Sequence, residues 1–398
     1  MQLQYKHTRN ACYLGYITQA IVNNLAPLLF VTFQKQFSIS LDKIGLLISV
    51  NFAMQMLIDA LAAKFVDKIG YRTCIVGAHI FCTVGLAGMG IFPFVFPSAY
   101  AGLIAAVLIN AVGGGLIEVL VSPIVESLPG DEKASAMSLL HSFYCWGHVS
   151  VVLLSTVFFV SIGTEHWTIL SVLWALVPLF NTFLFLNVPL NTIHSEEASL
   201  PIRKLFSMKL FWVFLLLMIC AGASEQAMSQ WTSLFAESGL QVSKTMGDLL
   251  GPCAFAVLMG VSRAFYGKFG AKLNLKRFIA GSGVLCIASY LLAAFSPMPL
   301  LSLVGCALCG LSVGILWPGT FSLSSAYCPQ GGTALFALLA LGGDVGCAAG
   351  PGLVGWVSSL ADGELKWGLT AALVFPILLL LLIGVLVRAV KQSDATNR

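Results

Sequence analysis

Twelve apolar runs, most of them twenty residues or longer, follow one another along the chain with short polar breaks between them. They cover roughly 11–33, 43–63, 73–94, 98–128, 135–161, 165–188, 209–234, 244–266, 277–296, 299–326, 332–360 and 365–389. A hydrocarbon core about 30 Å thick takes about 20 residues of helix, so each run is long enough to cross it. The expected fold is therefore an all-α membrane protein with twelve transmembrane helices in contact with the lipid bilayer. Composition agrees. Of the 398 residues 58% are hydrophobic and 10% charged, against about 25% charged in a soluble domain. Several runs exceed 25 residues and are expected to tilt or to project past the bilayer.

Twelve crossings put both ends of the chain on one side, and Lys and Arg choose that side. Of the 21 Lys and Arg, only Lys35, Lys43, Lys244 and Lys366 are assigned to the side opposite the termini; the other seventeen are assigned to the terminal side. The expected topology places both termini in the cytoplasm and the protein in the plasma (inner) membrane. The polar start, residues 1–10, is not followed by a compact apolar core and a small-residue cleavage site, so it reads as the lead into an uncleaved helix. Topology accounts for the net charge of +4, and no nucleic acid is expected as a partner.

The chain also reads as one unit written twice. A charged island at 62–72, between the second and third apolar runs, has a counterpart at 263–272 in the same place of the second half. Gly115 and Pro123 correspond to Gly314 and Pro318, and Gly147-His148 to Gly343-Asp344, at offsets of about 195–200 residues. The polar stretch between the sixth and seventh runs is the natural joint. The expected organisation is an N-terminal six-helix bundle at 1–188, a cytoplasmic loop at 189–208 and a C-terminal six-helix bundle at 209–398. Parallel repeats about an axis normal to the membrane are a recurring plan of transport proteins.

The hairpin at 63–72 resembles the cytoplasmic signature of the major facilitator superfamily: a small residue, then Asp, a basic residue, Gly and a further basic residue. Ala63, Asp67, Lys68, Gly70 and Arg72 occupy those places, with Ala63 where Gly is usual. The resemblance covers the whole chain and implies two pseudo-symmetric six-helix bundles that move a solute by alternating access. The carboxylate of the fourth helix, the short central loop and the Gly-Gly-Asp of the eleventh resemble the fucose-permease-like sugar transporters. In that group the first helix carries an acid; here it offers Gln19, Asn23 and Asn24, and Asn24 is taken as the candidate.

Polar groups at mid-membrane cost about 2.5–3.5 kcal/mol on insertion scales, so they face a cavity or a partner. Glu118 follows Gly113-Gly114-Gly115 and matches the family position; it is expected to exchange a proton or to accept hydrogen bonds from hydroxyls. Glu225 and Ser229, with Gln226 and Gln230, form a polar stripe at helical spacing, with Trp231 beside it, a pattern suited to a sugar. Asp344 and its repeat counterpart His148 are further candidates, together with His141, two turns earlier on the same face. Tyr144 and Trp317 are the expected aromatic lining; Trp317 precedes Pro318, which breaks the helix ladder where backbone can face a cavity. Asp59, Asp67, Lys68, Arg72 and Arg263 are expected to form a charge network at the cytoplasmic gate, made in one state and broken in the other.

Enzyme chemistry is not expected. The sequence contains no phosphate-binding G-x-x-x-x-G-K-[ST] and no H-E-x-x-H or G-x-S-x-G, and the eleven Cys are scattered without ligand spacing. No catalytic residue, cofactor or metal is expected. The expected protein is a monomeric symporter of a small polar solute, a sugar or polyol, with protons as the coupling ion. An exporter of drugs or amphipathic metabolites is the alternative, and a solute sensor with a transporter fold is an alternative of another class.

Overall fold

The computed structural model describes residues 4–129, 133–190, 202–269, 273–328 and 332–396. Part of the second charged island (270–272) and most of the central loop lie outside them, as do the side chains of Asp67 and His141. Twelve helices are long and apolar enough to cross a membrane: α1 Tyr5–Phe37, α2 Leu41–Ala62, α3 Tyr71–Val95, α4 Ala99–Val125, α5 Ser142–Ile162, α6 Thr164–Asn187, α7 Lys209–Gly239, α8 Lys244–Tyr266, α9 Leu275–Phe295, α10 Pro299–Tyr327, α11 Leu335–Leu360 and α12 Leu365–Arg388. There is no strand among the described residues.

The twofold repeat is visible in which helices touch. In the first bundle α3 packs on α4 and α6, α2 on α4, and α1 on α5 and α6. The same pairs recur six helices later: α9 on α10 and α12, α8 on α10, α7 on α11 and α12. Close contacts of this kind need small residues, because lipid offers no hydrophobic drive between helices. A Cβ on Gly346 of α11 would stand 2.0 Å from the carbonyl oxygen of Ile219 on α7, so only glycine lets that pair approach. The leading helix of each bundle is interrupted at a similar depth. In α1 a tight turn spans Ala26–Leu29, where Pro27 cannot donate a backbone hydrogen bond. In α7 the break falls at Gln230–Trp231.

The bundles meet mainly along α2 with α11 and α5 with α8. On the side opposite the termini they are sealed. The α2 and α11 backbones cross at Gly45 and Gly355, where a Cβ on Gly355 would lie 2.9 Å from the Gly45 Cα. Ser49 Oγ donates to the carbonyl of Ala348 at 2.8 Å, and Lys244 Nζ to the carbonyl of Leu28 at 2.6 Å. Lys35 and Glu237 pair at 3.2 Å. Toward the terminal side the bundles part around a central cavity.

Candidate functional site

The cavity has a volume of about 830 Å³. From the first bundle it is lined by Tyr16, Gln19, Asn23, Phe52, Glu118, Ser142 and Tyr144, and from the second by Glu225, Gln226, Arg263, Trp317, Phe321 and Asp344 among others. Arg263, Ala264 and Tyr266, from the terminal end of α8, extend its wall toward the termini. Both halves thus contribute hydrogen-bonding groups and aromatic rings to one central space.

The polar groups are joined by hydrogen bonds across the bundle interface. Gln19 Nε2 donates to Glu118 Oε2 at 3.0 Å and to Gln55 Oε1 at 2.9 Å. Gln55 Nε2 donates to Asn23 Oδ1 at 2.9 Å. Gln230 Nε2 then bridges the halves, donating to the backbone carbonyl of Asn23 at 3.1 Å and to Gln226 Oε1 at 3.0 Å. Gln226 Nε2 donates to Glu225 Oε1 at 3.4 Å, and Arg263 Nη2 meets Glu225 Oε2 at 3.5 Å. The chain therefore runs from one carboxylate to another. Its links are amides, which fix orientation and do not relay protons as hydroxyls or imidazoles do.

Several expected site residues meet at this cavity: Glu118, Tyr144, Glu225, Gln226, Trp317 and Asp344. Others take up different positions. Asn24 is buried and turns its amide back to the carbonyl of Ala20 at 2.9 Å; Asn23, one residue earlier, faces the cavity instead. Ser229 is buried away from the cavity wall. Trp231 is fully buried and donates Nε1 to the carbonyl of Pro351, tying α7 to α11. His148 is buried with its ring beside Phe255 of α8, at an interface between the bundles.

Among the described side chains, the expected gate residues are spread over several places. Arg263 stands near the terminal end of α8 on the cavity wall, beside Glu225. Asp59 has its carboxylate beside those of Glu118 and Asp344. Arg72 caps the end of α6 within its own bundle, donating to the carbonyls of Phe185, Leu186 and Val188 at 2.7, 3.0 and 2.8 Å. Helix ends carry unsatisfied carbonyls and attract cations, which is why a basic residue suits that place. Lys68 is exposed.

Sequence reasoning passed over Gln55 as a link of the polar chain, and two buried polar centres outside the cavity. Asp248 accepts from Ser233 Oγ at 2.5 Å and pairs with Lys244 at 3.0 Å on the sealed side. His79 is fully buried in the first bundle; Asn181 Nδ2 donates to its Nε2 at 2.8 Å, so the proton sits on Nδ1, which faces the carbonyl of Ile75. Asn181 also donates to the carbonyl of Ala11, so this knot joins α1, α3 and α6.

Two six-helix bundles around a central cavity with carboxylates on its wall, open on one side and sealed on the other, define a membrane transporter rather than an enzyme. The model of the Major Facilitator Superfamily matches residues 12–351, and the chain belongs to that family. The membrane protein MosC of Rhizobium meliloti is 26% identical over 88% of this chain and 81% of its own. Among solved structures, a bacterial homologue of the human lysosomal transporter Spinster, in an inward-facing and occupied conformation, superposes with a TM-score of 0.77 at 15% identity, covering 98% of both chains. A D-xylose-proton symporter gives 0.75 at 13% identity over 95% of each chain. The fucose:proton symporter of E. coli gives 0.66 at 17% identity, covering 96% of this chain and 97% of its own. At these identities the structural likenesses speak for the fold.

Proposed function

We propose that the chain is a proton-coupled secondary transporter of a small polar solute, a sugar or polyol, working by alternating access. The observation that carries this reading is the presence of Glu118 and Glu225 on opposite walls of one cavity, flanked by amides and by Trp317 and Tyr144. Amides and carboxylates give the paired hydrogen bonds that vicinal hydroxyls take, and an aromatic face suits the flat side of a sugar ring. An exporter of amphipathic compounds would not need both carboxylates on the cavity wall, where Glu118 and Glu225 stand. The fucose:proton and D-xylose-proton symporters among the structural relatives support the same choice. With the terminal side taken as cytoplasmic, the conformation is inward-facing, and rocking of the bundles about the α2–α11 and α5–α8 seams exposes the cavity to the other side. One chain supplies the whole wall, in keeping with a monomer.

The test is thermal unfolding of the purified protein against a panel of sugars, polyols and common efflux substrates at two pH values. A sugar or polyol is expected to raise the melting temperature, to a different extent at the two pH values, and the rise is expected to vanish in Glu225→Gln. Stabilisation by apolar cations or amphiphiles alone would refute the polar-solute reading.

A further inference from the structure

The charge of the cavity does not balance. Its wall carries Glu118, Glu225 and Asp344, and Asp59 adjoins the last of these, whereas Arg263 is the one Lys or Arg on that wall among the described residues. Arg263 is engaged with Glu225. The other three carboxylates come from α2, α4 and α11, and each places an oxygen within 4.8 Å of the others. Two belong to the first bundle and one to the second, so the cluster straddles the seam. Asp59 and Asp344 bring carboxylate oxygens within that distance across it, and two like charges that close are relieved by a proton or a cation.

A second observation points the same way. Gln19 is 2% exposed, and its amide nitrogen is spent on Glu118 and Gln55. Among the described residues its carbonyl oxygen meets no donor, and neither do Asp59 Oδ1 and Asp344 Oδ2. Two of these orphaned oxygens lie over one ledge. A Cβ on Gly114 would stand 3.1 Å from Gln19 Oε1, and one on Gly115 3.1 Å from Asp59 Oδ1. The glycines thus make room for acceptors beside the cluster. Buried acceptors without donors are costly, and a positive centre relieves them.

We propose that Asp59, Glu118 and Asp344, with the carbonyl oxygen of Gln19, form a binding site for a small cation at the seam between the bundles. The donors are all oxygen, the set that hard metal ions prefer. They equally fit a primary ammonium group: three N–H···O bonds of about 2.8 Å from one nitrogen place their acceptors about 4.6 Å apart. The shared chemistry is a compact positive charge, supplied either by a free metal ion or by an amino group on a transported solute. Because the site takes ligands from both bundles, its occupant favours the conformation in which α2 and α11 meet at this level. The proposal does not depend on the solute being a sugar.

Thermal unfolding of the purified full chain tests it. NaCl, CaCl₂ and methylammonium chloride are titrated at ionic strength held constant with choline chloride. At least one is expected to raise the melting temperature saturably. The rise should disappear in Asp344→Asn and in Glu118→Gln, and persist in Asp42→Asn, an exposed acid at the far end of α2. Far-ultraviolet circular dichroism and monodisperse elution establish that each variant is folded; Asp59→Asn replaces any that is not. A response to sodium or calcium identifies a metal site, and a response to methylammonium alone identifies an amine site. If no salt exceeds choline, or if the rise survives all the carboxylate substitutions, the site does not exist.

Discussion

Glu118→Gln is expected to abolish uphill accumulation in proteoliposomes while leaving exchange of solute across the membrane within several-fold of the parent protein. The amide keeps the shape of the side chain and can still meet the Gln19 amide, whose nitrogen donates at 3.0 Å to the carboxylate. What it cannot do is take up and release a proton, so solute and proton movements come apart. One proton driven by 100 mV is worth about 2.3 kcal/mol. At about 1.4 kcal/mol per factor of ten that supports a gradient of about 40-fold, which the variant should lose entirely. Counterflow separates this role from a purely structural one, because a damaged cavity would lose both activities together. Undiminished accumulation would remove Glu118 from the coupling step.

Arg263→Met should have the largest effect on stability. The guanidinium meets Glu225 at 3.5 Å, with 23% and 10% of the two side chains exposed. Removing it leaves the carboxylate of Glu225 without the one positive neighbour it has on the cavity wall among the described residues. Breaking a buried pair from one side costs about 3–5 kcal/mol, whereas replacing both partners by neutral groups costs much less. The expected result is a pronounced fall in melting temperature for Arg263→Met and substantial recovery when Glu225→Gln is added. Equal destabilisation in the single and double variants would mean that the two groups do not balance each other. The placement matters for function as well, since the pair lies at one end of the polar chain that begins at Glu118.

What could be read from sequence followed from what the bilayer enforces on each helix separately. The twelve spans were legible because every helix must be apolar over about the same length, and the repeat was legible because glycine and proline mark the same depths in both halves. Glu118, Glu225 and Asp344 stood out because a carboxylate in an apolar run is expensive. The groupings were not legible. Asp59, Glu118 and Asp344 come together from three helices through the packing of α2, α4 and α11, and no spacing along the chain encodes that meeting. Arg263 is assigned to the gate because it opens the second charged island with Lys268 and Lys272; that the end of α8 also sets it on the cavity wall beside Glu225 depends on packing. Asn23 and Asn24 differ by about 100° around α1, and that rotation alone decides which one faces the solute. Arg72 is placed by the family signature in a gate network that holds helix ends together; the structure gives its partners as three carbonyls at the end of α6, in its own bundle.

The central claim is that the bundles must part on the sealed side for solute to cross. Lys35 and Glu237 stand on opposite bundles there, 3.2 Å apart, and Lys35 is largely exposed. Both can be replaced by cysteine and joined with a short thiol-reactive cross-linker, and uptake can then be measured with the solute that stabilises the protein. Joined protein is expected to bind the solute with its affinity unchanged and to transport none, while the same double variant without the cross-linker transports normally. Transport by the joined protein at the rate of the unjoined one would contradict alternating access through this seam.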